Sequence, residues 1–302
     1  MADGPLAPPV GAAAAGGSPP PAFLVIGHVT RDVVAAAPGG FVYGGSVIFA
    51  ALAAERLGHR AAILTRCADE PGLPALLGPV ALERVPADVT TTFENVYTPT
   101  GRVQYLRRMA PPIPAEAVPA AWRGAGVVHL GPVAQEVPAA LVEVFPAAAL
   151  VGATPQGWLR ARERDGRVRT GVTWPEAERV LSRVDVLIFS PEDVAGDQAL
   201  IRRYAEMSRL AVVTDGWRGC TVWRGGRRER FPAFRVDEVD PTGAGDVFAT
   251  AFFLRYAASR DVADAARYAN AAASFSVEAL GTGALPGPED VEQRLRSGRL
   301  LD

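Results

Sequence analysis

Short apolar runs alternate with longer, partly polar segments along most of this chain. The runs have the length of β-strands, and their apolarity is continuous rather than alternating. Continuous apolarity indicates strands covered on both faces, as in a parallel sheet between layers of helices. The predicted strands are residues 23–29, 61–65, 126–130, 150–153, 184–189, 210–214 and 219–223. The pattern therefore predicts one doubly wound α/β domain.

Helical patterns fill several of the segments between these strands. The predicted helices are residues 45–57, 194–208, the apolar run at 247–254 with no helix breaker before Ser259, and 261–280. The third is apolar nearly all round, which predicts a helix buried between layers. The arginine-rich residues 224–230 are predicted to form a turn.

Two segments near the front of the chain interrupt this rhythm. Residues 32–43 and 90–108 read as extended, partly alternating strands, the second around a turn at 98–101. We predict a small β-sheet that projects from the main domain as a lid and excludes water from a site. An antiparallel extension of the main sheet explains the same pattern.

The first 22 residues are mostly Ala, Gly and Pro, which predicts a disordered tail before a domain over 23–302. The tail has no basic segment followed by an apolar core, so it does not resemble a signal peptide. No apolar run is long enough to span a membrane. We expect a soluble protein.

Composition narrows the chemistry. The net charge of −2 gives no reason to expect a nucleic acid or a membrane surface as partner. All 31 basic residues are arginine, which excludes lysine-dependent phosphate loops and Schiff-base enzymes. Phosphate charge must then be met by backbone N–H groups, metal ions or arginine.

The cysteines and histidines do not suggest a metal site. Cys67 and Cys220 are far apart in apolar contexts, which predicts reduced thiols in a cytoplasmic protein. His28, His59 and His129 lack the spacing of metal ligands. His28 follows a strand and either faces a substrate or has a structural role.

The most informative stretch is VDPTGAGDVFATAFF at residues 239–253. The small residues Gly243, Ala244 and Gly245 let the backbone approach a bulky anion with its N–H groups, at the start of a helix. Asp246 follows in the first turn, where a carboxylate could take the proton of an attacking hydroxyl. This pattern favours phosphoryl transfer to an alcohol. A turn followed by a capped core helix would also explain it.

Several pieces of the chain together resemble one family. The sequence DPTGAGD at 240–246 resembles the signature of the ribokinase-like, or PfkB-type, carbohydrate kinases. Gly44–Gly45 at a helix start, Gly27 and Asp32 around a strand end, and TDGWRGC at 214–220 are similar to further elements of that family. The resemblance extends in order over about 23–296.

The resemblance implies an ATP-dependent sugar or polyol kinase with a three-layer α/β/α domain, a mostly parallel sheet and a small β lid. It makes Asp246 the base and Gly243–Gly245 the anion hole, and it implies Mg²⁺ with the donor. The other implied residues are Asp32, Gly44 and Gly45 for the substrate, Thr214, Gly216, Gly219, Asn270 and Ala273 for the nucleotide, and Asp240, Thr242, Gly281 and Gly283 for K⁺.

One stretch departs from the family pattern. Asn-x-x-Glu, which serves Mg²⁺ and its waters in the family, is replaced here by Ser190-Pro191-Glu192-Asp193. Asp193 could still hold a metal-bound water, with Glu192 as an extra acid. Acidic residues that merely stabilise a helix N-terminus explain the pair as well.

Within the family the chain is most similar to inositol kinases, through Gly44-Gly45-Ser46 leading into Phe49, and Gln156 followed by Arg160. This likeness implies a cyclitol such as myo-inositol as substrate, ahead of ribose-like sugars and nucleosides, with Gln156 and Arg160 in its site. Arg160 could instead lie on a solvated helix face. The lid is expected to offer a homodimer contact.

Two other classes compete with a kinase. A non-catalytic sensor that binds sugar or nucleotide would be consistent with Ser190 and Asp193. A nicotinamide-dependent oxidoreductase lacks support because no Gly-x-Gly-x-x-Gly follows the first strand.

Overall fold

The apolar runs build a central sheet in the computed structural model, which describes residues 19–98 and 101–301. The strands are β1 Phe23–Ile26, β2 Thr30–Val33, β3 Phe41–Gly44, β4 Ala61–Cys67, β5 Ala81–Pro86, β6 Thr91–Thr98, β7 Gly101–Arg108, β8 Val127–Leu130, β9 Leu150–Ala153, β10 Arg160–Arg162, β11 Val168–Thr170, β12 Val186–Phe189, β13 Ala211–Thr214, β14 Cys220–Arg224 and β15 Arg227–Phe231. The helices are α1 Ser46–Arg56, α2 Leu73–Leu77, α3 Ala177–Arg183, α4 Gln198–Met207, α5 Ala244–Ser259, α6 Val262–Ser276 and α7 Pro288–Ser297.

Nine strands form the main sheet in the order β15-β14-β13-β12-β9-β8-β1-β4-β5. All neighbouring pairs are parallel except β13–β14 and β14–β15. Phe23 and Val25 of β1 pack into the core on the side of α1, α5 and α6, whereas Leu24 and Ile26 pack on the side of α3 and α4. Helices therefore cover both faces, and the predicted three-layer, mostly parallel α/β fold is confirmed.

The segments that interrupt the pattern form a separate four-stranded sheet, which we call the small sheet, in the order β3-β2-β6-β7. The prediction that they might extend the main sheet is therefore wrong. The single extended segment predicted over 32–43 is two antiparallel strands, β2 and β3, joined by a turn at Pro38–Gly40. Pro99 and Thr100 of the predicted turn lie outside the described residues.

A hairpin of β10 and β11 lies along β7 and was not predicted. Its sequence is rich in arginine and its strands have three residues each, so no apolar pattern marks it. Leu106 of β7 donates its N–H to Gly166 O over 2.8 Å, and Arg162 Nε donates to Leu106 O over 2.8 Å. The hairpin thus tethers the edge of the small sheet.

Some other boundaries differ from prediction. Only Gly225 and Gly226 separate β14 from β15, so residues 224–230 are mostly an edge strand rather than a turn. The helix predicted from 194 begins at Gln198 because the Asp197 side chain caps it by accepting from Ala199 N and Leu200 N. The helix predicted to 280 ends at Ser276.

Residues 1–18 of the predicted tail lie outside the described residues. Order begins before Phe23, since Pro20 O accepts from Arg60 Nη2 over 2.9 Å and Ala22 O accepts from Val127 N over 3.0 Å. Across the ranges that the structure describes, none of the helices has both the length and the apolarity needed to cross a bilayer.

Candidate active site

Two glycines at the start of α5 have different tasks. Gly243 is the N-cap residue with φ of 80°, and a Cβ there would overlap the ring of Phe49 from α1. Only glycine combines this left-handed backbone with so close a contact. A Cβ on Gly245 would meet no atom within 4 Å. Gly243 is therefore required by packing, whereas Gly245 faces open space.

The backbone at this helix start offers N–H groups to a ligand. In the described part of the chain the amides of Gly243 and Gly245 have no hydrogen-bond acceptor, whereas Ala244 N donates to Pro241 O over 3.2 Å. The positive end of the α5 dipole adds to the attraction for an anion. Of the three residues predicted for an anion hole, the two glycines carry available donors and Ala244 does not.

Asp246 lies in the first turn of α5 and is partly exposed. Burial raises the pKa of its carboxyl group to about 6. A hydrogen bond with Ser46 and the charge of Arg160 lower the pKa, and the negative charge of Asp193 raises it. The fold therefore gathers Ser46, Asp193 and Arg160 around Asp246, from three separate parts of the chain.

Asp193 is held by its own turn. Its Oδ2 accepts from Ser190 N over 2.8 Å and from Ser190 Oγ over 3.1 Å, which forms a capping box at residues 190–193. Burial raises the pKa of Asp193, and the charge of Arg160 lowers it. Glu192 is exposed. These contacts are those of acidic residues that stabilise a helix N-terminus, as one of the two interpretations predicted. Asp193 also lies close enough to Asp246 to raise its pKa.

No dense acidic cluster surrounds this pair. Nowhere in residues 19–98 and 101–301 do three or more His, Cys, Asp or Glu side chains come together in a way that could hold a metal ion. Mg²⁺ is commonly bound by only one or two carboxylates together with waters and substrate phosphates. Asp193 fits such a site, because Ser190 occupies only one of its two oxygens.

The predicted acceptor residues come together where β2 and β3 meet α1. The Asp32 carboxylate lies so close to Gly44 that a Cβ on this glycine would overlap Asp32 Oδ2. Gly45 has φ of 90° and turns the chain into α1, whose first residue is Ser46. Because Ser46 bonds to Asp246, this glycine turn lies directly beside the start of α5.

Gln156 and Arg160 follow β9 on the other side of the site. Gln156 lies in a single turn at Pro155–Gly157 and is partly exposed. Arg160 begins β10, so its predicted alternative as a solvated helix residue is wrong. Its Nη1 donates to Val133 O over 3.4 Å, and its guanidinium lies 6.0 Å from the centroid of the Phe93 ring in the small sheet.

The predicted nucleotide residues lie at the end of β13. Thr214 Oγ1 donates to Phe189 O over 3.4 Å, and Gly216 has φ of 52° with open space around it. Gly219 packs against the backbone at Phe231, where a side chain would not fit. Trp217 between them is 61% exposed, and the guanidinium of Arg218 stacks 4.4 Å from its ring centroid.

The two residues of α6 that were predicted to contact the nucleotide differ in their exposure. Asn270 is buried, and its Nδ2 donates to Phe231 O and Pro232 O over 3.2 Å each, so its donor group joins α6 to the end of β15. Ala273 is partly exposed one turn further along the helix.

Asp240 ties the loop before α5 to the loop after α6. Its Oδ1 accepts from Thr242 N over 3.0 Å and its Oδ2 from Gly281 N over 3.1 Å. Burial raises its pKa, but the hydrogen bonds outweigh this and keep the pKa below its usual value. The predicted cation residues Asp240, Thr242 and Gly281 therefore meet, with Gly283 in the same turn.

His28 belongs to the framework rather than to the site. It is fully buried, with Nδ1 2.7 Å from Thr91 Oγ1 and Nε2 3.1 Å from Pro111 O. Burial lowers its pKa. The sequence did not single out Ser46 for a role beside Asp246, although its place after Gly44–Gly45 at a helix start could have marked it.

Comparison with known proteins relates the chain to carbohydrate kinases. Residues 174–289 match the model of the pfkB family carbohydrate kinases. Ribokinase from Bacillus subtilis (strain 168) is 40% identical over 84 residues, which are 28% of this chain and 29% of that protein. Inositol 3-kinase from Arabidopsis thaliana is 35% identical over 89 residues, which are 29% of this chain and 25% of that protein. The chain thus aligns with less than a third of either relative.

Solved structures match over a much larger part of the chain. A pyrophosphate-dependent kinase in the ribokinase family, complexed with a pyrophosphate analog and myo-inositol, has a TM-score of 0.72 and 23% identity. The match covers 90% of this chain and 99% of that one. This likeness confirms the predicted ribokinase-like fold.

Proposed function

We propose that this chain transfers the γ-phosphoryl group of ATP to a hydroxyl of a small polyol, because residues 174–289 match the model of the pfkB family carbohydrate kinases. One observation carries the proposal. The Gly44–Ser46 turn and the start of α5 meet through Ser46 and Asp246, whose pKa is raised to about 6. The turn that contacts Asp32 therefore lies beside the helix start that carries the amides of Gly243 and Gly245. An acceptor hydroxyl and a phosphate would both be within reach of this junction.

The residues have complementary roles in the proposed reaction. Asp246 accepts the proton of the attacking hydroxyl while the acceptor oxygen bonds to the γ-phosphorus, and the bond from that phosphorus to the β,γ-bridging oxygen breaks. The amides of Gly243 and Gly245 and the α5 dipole stabilise the charge on the moving phosphoryl group. Arg160 contributes positive charge near both aspartates. ADP and a phosphorylated polyol are the products.

We propose a cyclitol such as myo-inositol as acceptor. Asp32, the backbone at Gly44 and Gly45, Gln156 and Arg160 supply both hydrogen-bond acceptors and donors, which suits the adjacent hydroxyls of a neutral ring. The similarity to an inositol 3-kinase supports this choice. The chain is also similar to the B. subtilis ribokinase, so ribose-like sugars form the comparison class.

The donor would lie at the carboxyl ends of the strands, along Thr214, Gly216, Gly219 and Ala273. Asn270 would contribute to the nucleotide site by fixing the backbone at Phe231 and Pro232. Asp193 would hold Mg²⁺ through a water, and the ion would neutralise phosphate charge. Asp240, Thr242 and Gly281 would hold K⁺, with the Asp240 carboxylate supplying one of the oxygen ligands that this cation needs.

We also propose a cytoplasmic location and a homodimeric state. Cys67 and Cys220 are free, buried thiols, which supports a reducing, cytoplasmic environment. Val33 of β2, Val34 just after it and Val42 of β3 are exposed, which supports a homodimer formed through the small sheet.

A second candidate function rests on the capping box of Ser190 and Asp193. Because Asp193 is engaged by Ser190 where the family has a metal-binding pair, the chain could bind polyol and nucleotide as a sensor without transferring phosphate.

An ADP-release assay tests the proposal. Purified protein would be screened with Mg²⁺ and ATP against myo-inositol, other inositols, ribose, fructose and cytidine, with and without K⁺. Pyrophosphate replaces ATP in a parallel series that is read by the release of orthophosphate, since a structural neighbour depends on pyrophosphate. We expect myo-inositol to give the highest kcat/KM. Calorimetric binding of a polyol without product from any pair would support the sensor, and an absence of both binding and product would contradict both candidates.

A further inference from the structure

Glu70 is a buried carboxylate outside the cluster around Asp246. It lies in the loop between β4 and α2 of the main domain, and its side chain is fully shielded from solvent. Its Oε2 accepts from Arg31 Nε over 3.1 Å, from Arg31 Nη2 over 2.7 Å and from Tyr43 OH over 2.9 Å. Its Oε1 accepts from Thr90 Oγ1. One side chain thus joins three segments of the small sheet to the main domain.

The residues bound by Glu70 are direct neighbours of the proposed acceptor residues. Arg31 precedes Asp32 on β2, and Tyr43 precedes Gly44 at the end of β3. Successive side chains of a strand point to opposite faces. Glu70 therefore holds one face of β2 and β3 while Asp32 and Gly44 belong to the other.

The loop that carries Glu70 is shaped around these contacts. A Cβ on Gly72 would lie 3.0 Å from the Tyr43 ring, tighter than an ordinary contact, so glycine there makes room for the ring to reach Glu70. Thr90 Oγ1 also accepts from Ala68 N over 3.2 Å. Arg31 stacks 4.2 Å from the centroid of the Phe41 ring, which adds a second tie between β2 and β3.

We propose that Glu70 is a positioning residue for acceptor binding. It fixes the spacing of β2 and β3, and thereby the closeness of the Asp32 carboxylate to the backbone at Gly44, without touching the acceptor. This role rests on the proposed function. It requires that loss of Glu70 weakens acceptor binding far more than donor binding, because no donor residue lies on these strands.

The variant Glu70→Gln keeps the shape of the side chain and removes its charge. Hydrogen bonds to charged groups are the stronger ones, so we expect the acceptor KM to rise by about tenfold or more. The ATP KM and kcat should change by less than about threefold. Glu55→Gln is the control, because Glu55 is a partly buried glutamate away from the site whose Oε1 accepts a hydrogen bond from Ala61 N over 2.7 Å. It should leave the acceptor KM unchanged.

A milder variant keeps the test valid if Glu70→Gln does not fold. Tyr43→Phe retains the ring beside Gly72 and removes only the hydroxyl that Glu70 binds, so a rise of about two- to fivefold in acceptor KM is expected. In the double variant the two effects should not multiply, since both act through one contact.

The outcomes separate the two proposals. An active wild-type protein whose acceptor KM is unaffected in both variants would overturn the role of Glu70 and leave the proposed function intact. An equal rise in acceptor and donor KM would show a general structural role and would also overturn it. Wild-type protein that phosphorylates no polyol would overturn the proposed function and this role with it.

Discussion

The ionisation of Asp246 is the residue property on which the proposed chemistry depends. The first turn of a helix ordinarily favours a charged carboxylate. At Asp246 burial outweighs this and raises the pKa to about 6, with Asp193 acting in the same direction. The group is therefore mostly ionised at neutral pH yet basic enough to accept a proton. Its neighbour Ser46 opposes the rise through a hydrogen bond.

Replacing this base should separate activity from folding. For Asp246→Asn we expect kcat to fall by roughly 10²–10⁴-fold, as is usual when a positioned base is lost. Calorimetric affinity for ATP should change little, since the amides of Gly243 and Gly245 are retained. The exposed Asp88 provides the control, and Asp88→Asn should keep full activity. Phosphorylation by Asp246→Asn at a near-normal rate would remove Asp246 from the role of base.

The same variant should be more stable than the wild-type protein at pH 7. The pKa of Asp246 is higher in the folded state than its usual 3.8, so folding favours the protonated group and stability falls as pH rises from about 4 to 6. Asparagine removes this cost. We expect a gain of about 1–2 kcal/mol, less than the full shift because the side chain is partly exposed. Denaturant unfolding at pH 4 and 7 measures it, and a gain that is equal at both pH values would contradict this origin.

The pH profile of the reaction should follow Asp246. We expect kcat to rise with pH and to level off above an inflection near 6, because the base must be ionised. ATP phosphates also titrate near this pH. Ser46→Ala distinguishes the two, since loss of its hydrogen bond should move the inflection to higher pH while the titration of ATP is unaffected. An inflection that does not move would assign the profile to the donor.

At the scale of elements, Gly243 and Gly245 at the start of α5 are expected to respond differently to replacement by alanine. Gly245→Ala adds a methyl group that meets no protein atom, and alanine is the better helix former by roughly 0.5–1 kcal/mol. We expect an unchanged or higher Tm together with a fall of about tenfold or more in kcat/KM, because the methyl group enters the space proposed for the phosphoryl group.

Gly243→Ala is the counterpart with the opposite expectation. Its left-handed backbone and its contact with Phe49 leave no room for a methyl group, so Tm should fall. Thermal unfolding and steady-state kinetics on both variants decide the matter. A loss of Tm in Gly245→Ala comparable to that in Gly243→Ala would show that the second glycine is also required by packing.

At the scale of the whole molecule, the small sheet is the proposed surface for a homodimer. Val42 is 46% exposed on β3, where it pairs with Asp32 of β2, and Val33 and Val34 at the end of β2 are also exposed. We expect the wild-type protein to sediment as a dimer and Val42→Glu to sediment as a monomer. Leu76, 37% exposed on α2, supplies a control outside the small sheet, and Leu76→Glu should leave the dimer intact. A monomeric wild-type protein at micromolar concentration would contradict the proposal.

The parts of the fold that depend on local pattern could be predicted from the sequence. The strands of the main sheet are continuous apolar runs, and Gly243 to Asp246 carry a distinctive spacing, so both were found. The hairpin of β10 and β11 could not be predicted, because its short, arginine-rich strands carry no apolar pattern and are held to β7 by hydrogen bonds to the Leu106 backbone. The role of Glu70 could not be predicted either, because its partners Arg31, Tyr43 and Thr90 are distant from it in sequence.

The tether between that hairpin and β7 has a practical consequence. Arg164 lies near the tip of the hairpin and is exposed, yet the flanking Gly166 O and Arg162 Nε are both bonded to the Leu106 backbone. A protease can cut only where several residues of backbone detach and extend. Trypsin would therefore cleave after Arg164 when the small sheet separates from the hairpin. The cleavage rates with and without polyol would report how often that separation occurs.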